Sequence, residues 1–188
     1  MLADHLADAL VATELDEVRS AKTVADLGSG AGVPGLPLAI AKPDARFALV
    51  ESNARKCEFL RAAVSTCGLA NVQVVRARVE AWDGGLQGNE LVTARALGPL
   101  PVVLEYAAPL LILGGKVVMW RGERDPEDER AGAKAALELG LVPAAPRRVD
   151  PYPEARSRHL HVFTKERPTP ARFPRRPGMA RKRPLGRT

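Results

Sequence analysis

Apolar residues in this chain fall into short unbroken runs separated by stretches with helical spacing. Val24-Ala25-Asp26-Leu27, Phe47-Ala48-Leu49-Val50, Val72-Gln73-Val74-Val75, Glu90-Leu91-Val92-Thr93-Ala94 and Lys116-Val117-Val118-Met119-Trp120 are the clearest runs. Near-continuous runs of this length are what strands of a parallel sheet, covered on both faces, require. They predict strands over 23–27, 46–51, 72–75, 90–94 and 116–120, with a last strand over 159–164. Between them, 34–41, 53–67, 101–111 and 127–139 read as helices. Pro43 lies just past the first, Asn53 caps the second and Gly68 stops it, and Gly140 closes the last. Leu2, Leu6, Leu10 and Leu15, with acids between them, predict an amphipathic helix over 2–18. The stretch 143–153 reads as irregular, and no internal repeat is visible. Strands alternating with helices define an α/β architecture with a mostly parallel, doubly covered sheet.

The junction between the first strand and the first helix carries the chemistry. Asp26-Leu27-Gly28-Ser29-Gly30-Ala31-Gly32-Val33-Pro34-Gly35 is a glycine-dense turn. Glycine lets a backbone approach a ligand closely, and a helix start offers unpaired N–H groups to polar or anionic atoms. Pro34 suits a first helical position. Two cofactor patterns overlap here. Gly30, Gly32 and Gly35 match a dinucleotide G-x-G-x-x-G, whereas Asp26, Gly28, Gly30 and Gly32 match the acidic-x-G-x-G-x-G of S-adenosylmethionine sites. Glu51 ends the second strand, where both fold families hold ribose hydroxyls with a carboxylate. These residues leave both cofactors open, and both readings require a βαβ unit.

Composition narrows the class. The 188 residues suit one domain able to bury a core unaided. Cys57 and Cys67 have neither zinc-ligand nor C-x-x-C spacing, so they read as reduced interior thiols of a cytosolic protein without a metal site. No run approaches the roughly 20 apolar residues a membrane span needs, and the N-terminus lacks a secretory plan, which points to a soluble cytoplasmic protein.

The net charge of +6 is unevenly placed. Residues 165–188 hold nine Lys or Arg against the single acid Glu166, so this tail is +8 and the remainder −2. With five prolines and few apolar residues, the tail reads as a mobile arm that orders on a polyanion. A merely solubilising tail is the other reading. The expected organisation is an N-terminal helix over 1–20, a catalytic domain over 21–164 and a flexible basic tail over 165–188.

Several segments in order resemble one family: Val24 to Ala39 through the glycine turn, Arg78-Val79-Glu80, Thr93-Ala94-Arg95-Ala96, Arg121-Gly122-Glu123, Arg158-His159-Leu160, and Phe173-Pro174-Arg175-Arg176-Pro177-Gly178. Together they look like the bacterial RsmG family, also called GidB. The resemblance implies a class I S-adenosylmethionine-dependent methyltransferase fold with a Rossmann-like, mostly parallel seven-stranded sheet. It implies methylation of N7 of a guanine in 16S ribosomal RNA. It also implies a partner, the small-subunit rRNA or the ribosomal subunit; nothing in the sequence demands more than a monomer. Two departures stand out. The family's N-terminal helical region is usually longer, so Asp4-His5-Leu6-Ala7-Asp8-Ala9-Leu10 here matches a stretch that lies further from its start. Arg121 stands where the family usually has lysine.

By the same resemblance, the backbone at Gly28, Gly30, Gly32 and Val33 cradles the methionine part of the cofactor, Glu51 holds the ribose, and Val79 and Glu80 flank the adenine. Arg95 is the catalytic residue and contacts cofactor or substrate. Arg78 and Arg121 form a basic rim for RNA phosphates, joined by Arg175 and Arg176 from the tail. Guanine N7 is an exposed lone pair with no proton to remove, so placement and charge stabilisation matter more than a base. The segment Thr93-Ala94-Arg95-Ala96-Leu97-Gly98-Pro99 agrees, being no N-P-P-Y box of amino-group methyltransferases. Trp120 reads as core rather than a base-stacking platform, His159 and His161 as ordinary edge residues, and Asp26 as an organiser of the turn. A small-molecule methyltransferase, a dinucleotide-dependent oxidoreductase and a catalytically idle RNA-binding protein are the competing readings. On the mobile-arm reading, deleting 165–188 weakens RNA binding and spares cofactor affinity.

Overall fold

A single sheet organises the chain, because each apolar run has a partner run beside it. The structure is a computed structural model; it describes residues 2–186, so Arg187 of the basic tail lies outside the described residues. The strands are β1 Thr23–Leu27, β2 Arg46–Glu51, β3 Val72–Arg76, β4 Asn89–Arg95, β5 Leu111–Arg121, β6 Leu141–Pro143, β7 Arg147–Val149 and β8 Arg158–Lys165. They pair in the order β3-β2-β1-β4-β5-β8-β6, with β7 also on β8. The pairs among β1 to β5 are parallel, and β8 runs antiparallel to β5, β6 and β7. Because β6 lies opposite Phe163–Lys165 and β7 opposite Arg158–Leu160, they are two pieces of one edge. The sheet therefore has seven positions.

The helices are α1 Leu2–Leu10, α2 Asp16–Ser20, α3 Gly35–Ala41, α4 Ala54–Thr66, α5 Leu100–Ala107, α6 Pro126–Leu139 and α7 Met179–Lys182. One core layer joins Val18, Leu38, Phe47, Val118, Trp120 and Leu160; the other joins Leu104, Leu110, Met119, Leu139 and Phe163. From β3 the chain returns to β4 beside β1, so strand order reverses there. Ligands of open α/β sheets bind outside the carboxyl ends of strands at such a reversal. Among the described residues no helix is long and apolar enough to cross a membrane.

Several expectations need correction. The single helix expected over 2–18 is three pieces, because Leu15 is extended (φ −82°, ψ 131°) and turns inward to burial. The helix expected over 101–111 yields to a 3-10 turn at Ala108–Leu110, where Pro109 has no N–H to continue the ladder, and β5 starts at Leu111. Pro34 precedes α3 as its N-cap instead of opening it. Cys57 is buried but Cys67 is exposed, past the end of α4. His161 is no edge residue: β8 lies between β5 and the β6–β7 edge, and His161 is buried.

The largest correction concerns the tail. Residues 166–186 pack on α5 and α6 instead of forming a free arm. All eight residues of α5 are buried, including Glu105. A buried carboxylate is costly unless paired. Arg175 pairs it twice, Nε to Oε1 at 2.7 Å and Nη2 to Oε2 at 2.5 Å. Phe173 and Ala180 are buried in the same layer, with Leu185 packed against it. The tail's composition cannot build a core alone, but the flank of α5 supplies the missing apolar surface.

Candidate functional site

The glycine turn is fixed by backbone bonds to β2. Gly28 and Ser29 both donate to the Val50 carbonyl, at 2.9 and 3.2 Å, and Gly32 donates to Ser29 at 2.7 Å. Gly28 adopts φ +66°, a conformation that favours glycine, and a Cβ there would lie 2.6 Å from Leu97 Cδ1 and push that side chain aside. Beneath the turn, Asp26 accepts a 2.8 Å bond from the Thr93 hydroxyl at Oδ1. The Gly35 amide points toward the same carboxylate and favours its charge, yet Oδ2 closes no hydrogen bond of its own. Burial dominates, and pushes the Asp26 pKa up to about 6.

Glu51 is the hinge between turn and cleft. Its Oε2 accepts from Gly30 N at 3.1 Å and its Oε1 from Asn53 N at 2.8 Å. Asn53 in turn caps α4 by accepting from Lys56 N. The buried carboxylate is thus aimed by two amides, with remaining lone pairs facing a cleft of about 550 Å³. Gly28, Glu51, Val79, Glu80, Leu97 and Tyr106 are on its wall. Glu80 Oε1 accepts from Gly178 N at 3.0 Å, a contact from the C-terminal segment. Burial, and next the Glu80 charge, raise the pKa of the Tyr106 hydroxyl.

A second cavity of about 270 Å³ adjoins the first and contains Asp8, Arg95, Trp120, Arg121, Arg158 and His159. Ala96 lines both, at φ +53°, so the two cavities meet at a strained residue. Arg95 is held by α1: Nη1 donates to Asp8 Oδ2 at 2.7 Å and Nη2 meets His5 Nδ1 at 3.1 Å. The Asp8 carbonyl accepts from Trp120 Nε1 at 2.7 Å, which makes Trp120 a buried anchor and not a base platform.

The structure gathers Gly28, Glu51, Arg78, Val79 and Glu80 around one cleft, and Gly30 joins through its amide. Gly32 and Val33 shape the turn without lining that cleft, and a Cβ on Gly32 would strike Leu36. Two expected RNA contacts are committed elsewhere. Arg121 bonds the Gly98 carbonyl and Asp128, which itself receives the Leu100 amide at the start of α5. Arg175 is spent on Glu105. Arg78 and Arg176 remain exposed. Sequence reasoning missed Asp8, Tyr106 and Arg181. The available signal was a lone acid, Glu105, in an otherwise apolar helix beside Tyr106, since such an acid demands a cation from elsewhere.

The donors discriminate between the two cofactors. A dinucleotide pyrophosphate needs free amides at the start of α3. Pro34 and Pro37 have none, Gly35 turns to Asp26, and Leu36 donates to Gly32 at 2.7 Å. An uncharged adenosyl group needs no such donors; the Glu51 carboxylate, which the ribose of either cofactor would use, is present.

Sheet order, glycine turn and ribose-type carboxylate together define a class I S-adenosylmethionine-dependent methyltransferase fold. Solved structures agree at the level of fold. The S-adenosylmethionine-dependent methyltransferase SibL superposes with TM-score 0.67 at 16% identity, over 85% of this chain and 55% of its own. Precorrin-6y C5,15-methyltransferase from Geobacter metallireducens gives 0.62 at 17%, over 84% of this chain and 88% of its own. The sequence profile of GidB, rRNA small subunit methyltransferase G, matches residues 1–146. Relatives named ribosomal RNA small subunit methyltransferase G include one from Rubrobacter xylanophilus, 40% identical over 98% of this chain and 73% of its own. Another, from Chloroflexus aggregans, is 42% identical over 98% of this chain and 78% of its own. The chain belongs to the rRNA small subunit methyltransferase G (GidB) family.

Proposed function

We propose that this protein transfers a methyl group from S-adenosylmethionine to small-subunit ribosomal RNA, and that the acceptor is N7 of a guanine. The observation that carries this reading is the pair of adjoining cavities that meet at Ala96, one built for an adenosyl group and one rimmed by Arg95. When bound, the cofactor supplies an electrophilic methyl group on a sulfonium. The Gly28–Gly30 backbone and Glu51 hold it, and the Val79–Glu80 turn borders its adenine. Arg95, positioned by Asp8, faces the acceptor side. Of the groups in the acceptor cavity, Asp8 is paired with Arg95, Glu123 stands exposed, and His159 Nδ1 lies 3.0 Å from the Gly122 carbonyl. Guanine N7 has no proton to lose, so its methylation needs none of them as a base. Arg78 and Arg176 are the exposed cations assigned to RNA phosphates.

The test is incubation of hypomethylated small ribosomal subunits, and of naked 16S rRNA, with labelled methyl donor, followed by mapping of the modified nucleotide. Label on a guanine N7 is expected; cofactor binding without incorporation would leave an idle RNA-binding protein. Arg95→Ala should lower turnover by about a hundredfold or more, the scale of losing a charge-stabilising donor. It also removes the 2.7 Å partner of Asp8, whose side chain is 11% exposed, and leaves it Arg158 Nε at 3.8 Å. The double variant Asp8→Asn/Arg95→Ala should therefore regain stability without regaining turnover.

A further inference from the structure

We infer that Arg181, in the C-terminal segment, is a cofactor-binding residue that forms the outer wall of the cleft at its adenine end; this rests on the reading of the cleft as an adenosylmethionine site. Arg181 lines that cleft together with Val79, Glu80, Leu97 and Tyr106. Its Nη2 donates to the Leu97 carbonyl at 2.9 Å, and the Tyr106 hydroxyl lies between Arg181 and Glu80. Three residues earlier, Gly178 N holds Glu80 Oε1 at 3.0 Å. The segment thus ties together the two turns that border the cleft, the one after β3 and the one after β4.

The placement is fixed from both sides. Upstream, Arg175 is anchored to the buried Glu105 and also donates to the Arg183 carbonyl at 2.8 Å. Ala180, beside Arg181, is buried. A surface arginine ordinarily samples many rotamers in water, and ordering it costs entropy. Here a carbonyl and a phenol hold the guanidinium against the cleft before any ligand arrives. A planar guanidinium stacks on an aromatic ring and donates in its own plane, which an ammonium does not do. Glu80, beside it, offsets its charge locally, so a neutral purine is accommodated. The consequence reverses the mobile-arm expectation: disturbing the C-terminal segment weakens cofactor binding.

The experiment is titration calorimetry of the full chain with S-adenosylhomocysteine and with 5′-methylthioadenosine, which keeps the adenine and lacks the amino-acid end. Arg181→Ala should weaken both ligands by about tenfold, the scale of one stacked cation. Arg181→Lys should recover little of this, because charge returns without the plane. Lys182→Ala, one residue on and equally basic, should bind as the wild type does. Arg181→Gln, which keeps a donor for Leu97, carries the same expectation if the alanine variant melts early. Affinities within about twofold of wild type for both ligands would overturn the inference. So would a loss confined to S-adenosylhomocysteine, which would move Arg181 to the amino-acid end. A wild-type chain that binds neither ligand refutes the cofactor reading itself, a result distinct from both.

Discussion

The two walls of the cofactor cleft are built by opposite means. The glycine turn is held by its own amides and by the neighbouring strand: Gly28 and Ser29 on Val50, Gly32 on Ser29, Gly30 on Glu51. The C-terminal wall is held by partners 70, 84 and 98 positions away, Arg175 on Glu105, Arg181 on Leu97 and Gly178 on Glu80. A wall of the first kind is written within one βαβ unit, in bonds that span 22 positions at most. A wall of the second kind exists only once the sheet and α5 are in place, so its stability and the cleft's shape depend on a few long-range bonds.

The sharpest way to break this contrast is Arg175→Ala. It removes both hydrogen bonds from Glu105, whose side chain is 1% exposed, and leaves a carboxylate without a partner inside a fully buried helix. Breaking a buried pair from one side costs about 3–5 kcal/mol. Chemical denaturation should show a loss of that size, with weaker S-adenosylhomocysteine binding. Replacing both partners, as Arg175→Met/Glu105→Leu, should restore most of the stability, because no charge is then stranded. A loss of less than about 1 kcal/mol for the single variant, the level of an exposed pair, would mean that Phe173 and Ala180 dock the segment unaided.

The same contrast governs what could be read from the chain. Strands β1 to β4 follow their apolar runs to within a residue or two, and α4 starts at its Asn53 cap, because burial on both faces and capping leave local marks. Glu51 and the glycines were legible for the same reason: their bonds connect adjacent elements of one βαβ unit. The docked tail was not. Its nine basic residues and five prolines signal a solvated arm, and nothing within 165–188 reveals that α5 offers a buried acid. Arg121 and Arg175 misled alike, since sequence shows a cation but not the carboxylate it already holds. The edge pieces β6 and β7, three residues each, are too short to leave a periodic signal.

The local wall carries its own stress, and pH exposes it. Asp26 has a folded pKa of about 6 against an ordinary 3.8, so between roughly pH 4 and 6 the native state holds a proton that the unfolded chain has released. Stability from this group therefore falls as pH rises through that window, by about 2–3 kcal/mol in all. Other carboxylates contribute with the opposite sign, so the measurement is a difference. Relative to wild type, Asp26→Asn should become more favourable by about 2–3 kcal/mol between pH 4 and pH 7 in urea denaturation. A difference that does not change with pH would mean that Asp26 titrates as a surface acid, and that the turn is not sealed over it.

The smallest effect separates a side chain from its backbone within the local wall. Asn53 does two things: its side chain accepts from Lys56 N at 3.2 Å to start α4, and its own amide donates to Glu51 Oε1 at 2.8 Å. Asn53→Ala removes the cap but keeps the amide. Losing such a cap costs about 1 kcal/mol, which should appear as a modest drop in melting temperature. Because Glu51 remains aimed by the amides of residues 30 and 53, affinity for S-adenosylhomocysteine should stay within about twofold of wild type. A larger loss of affinity would show that the start of α4 frays without its cap and carries the residue 53 amide away from Glu51. The glycine-side wall would then depend on a distributed set of contacts, as the C-terminal wall does.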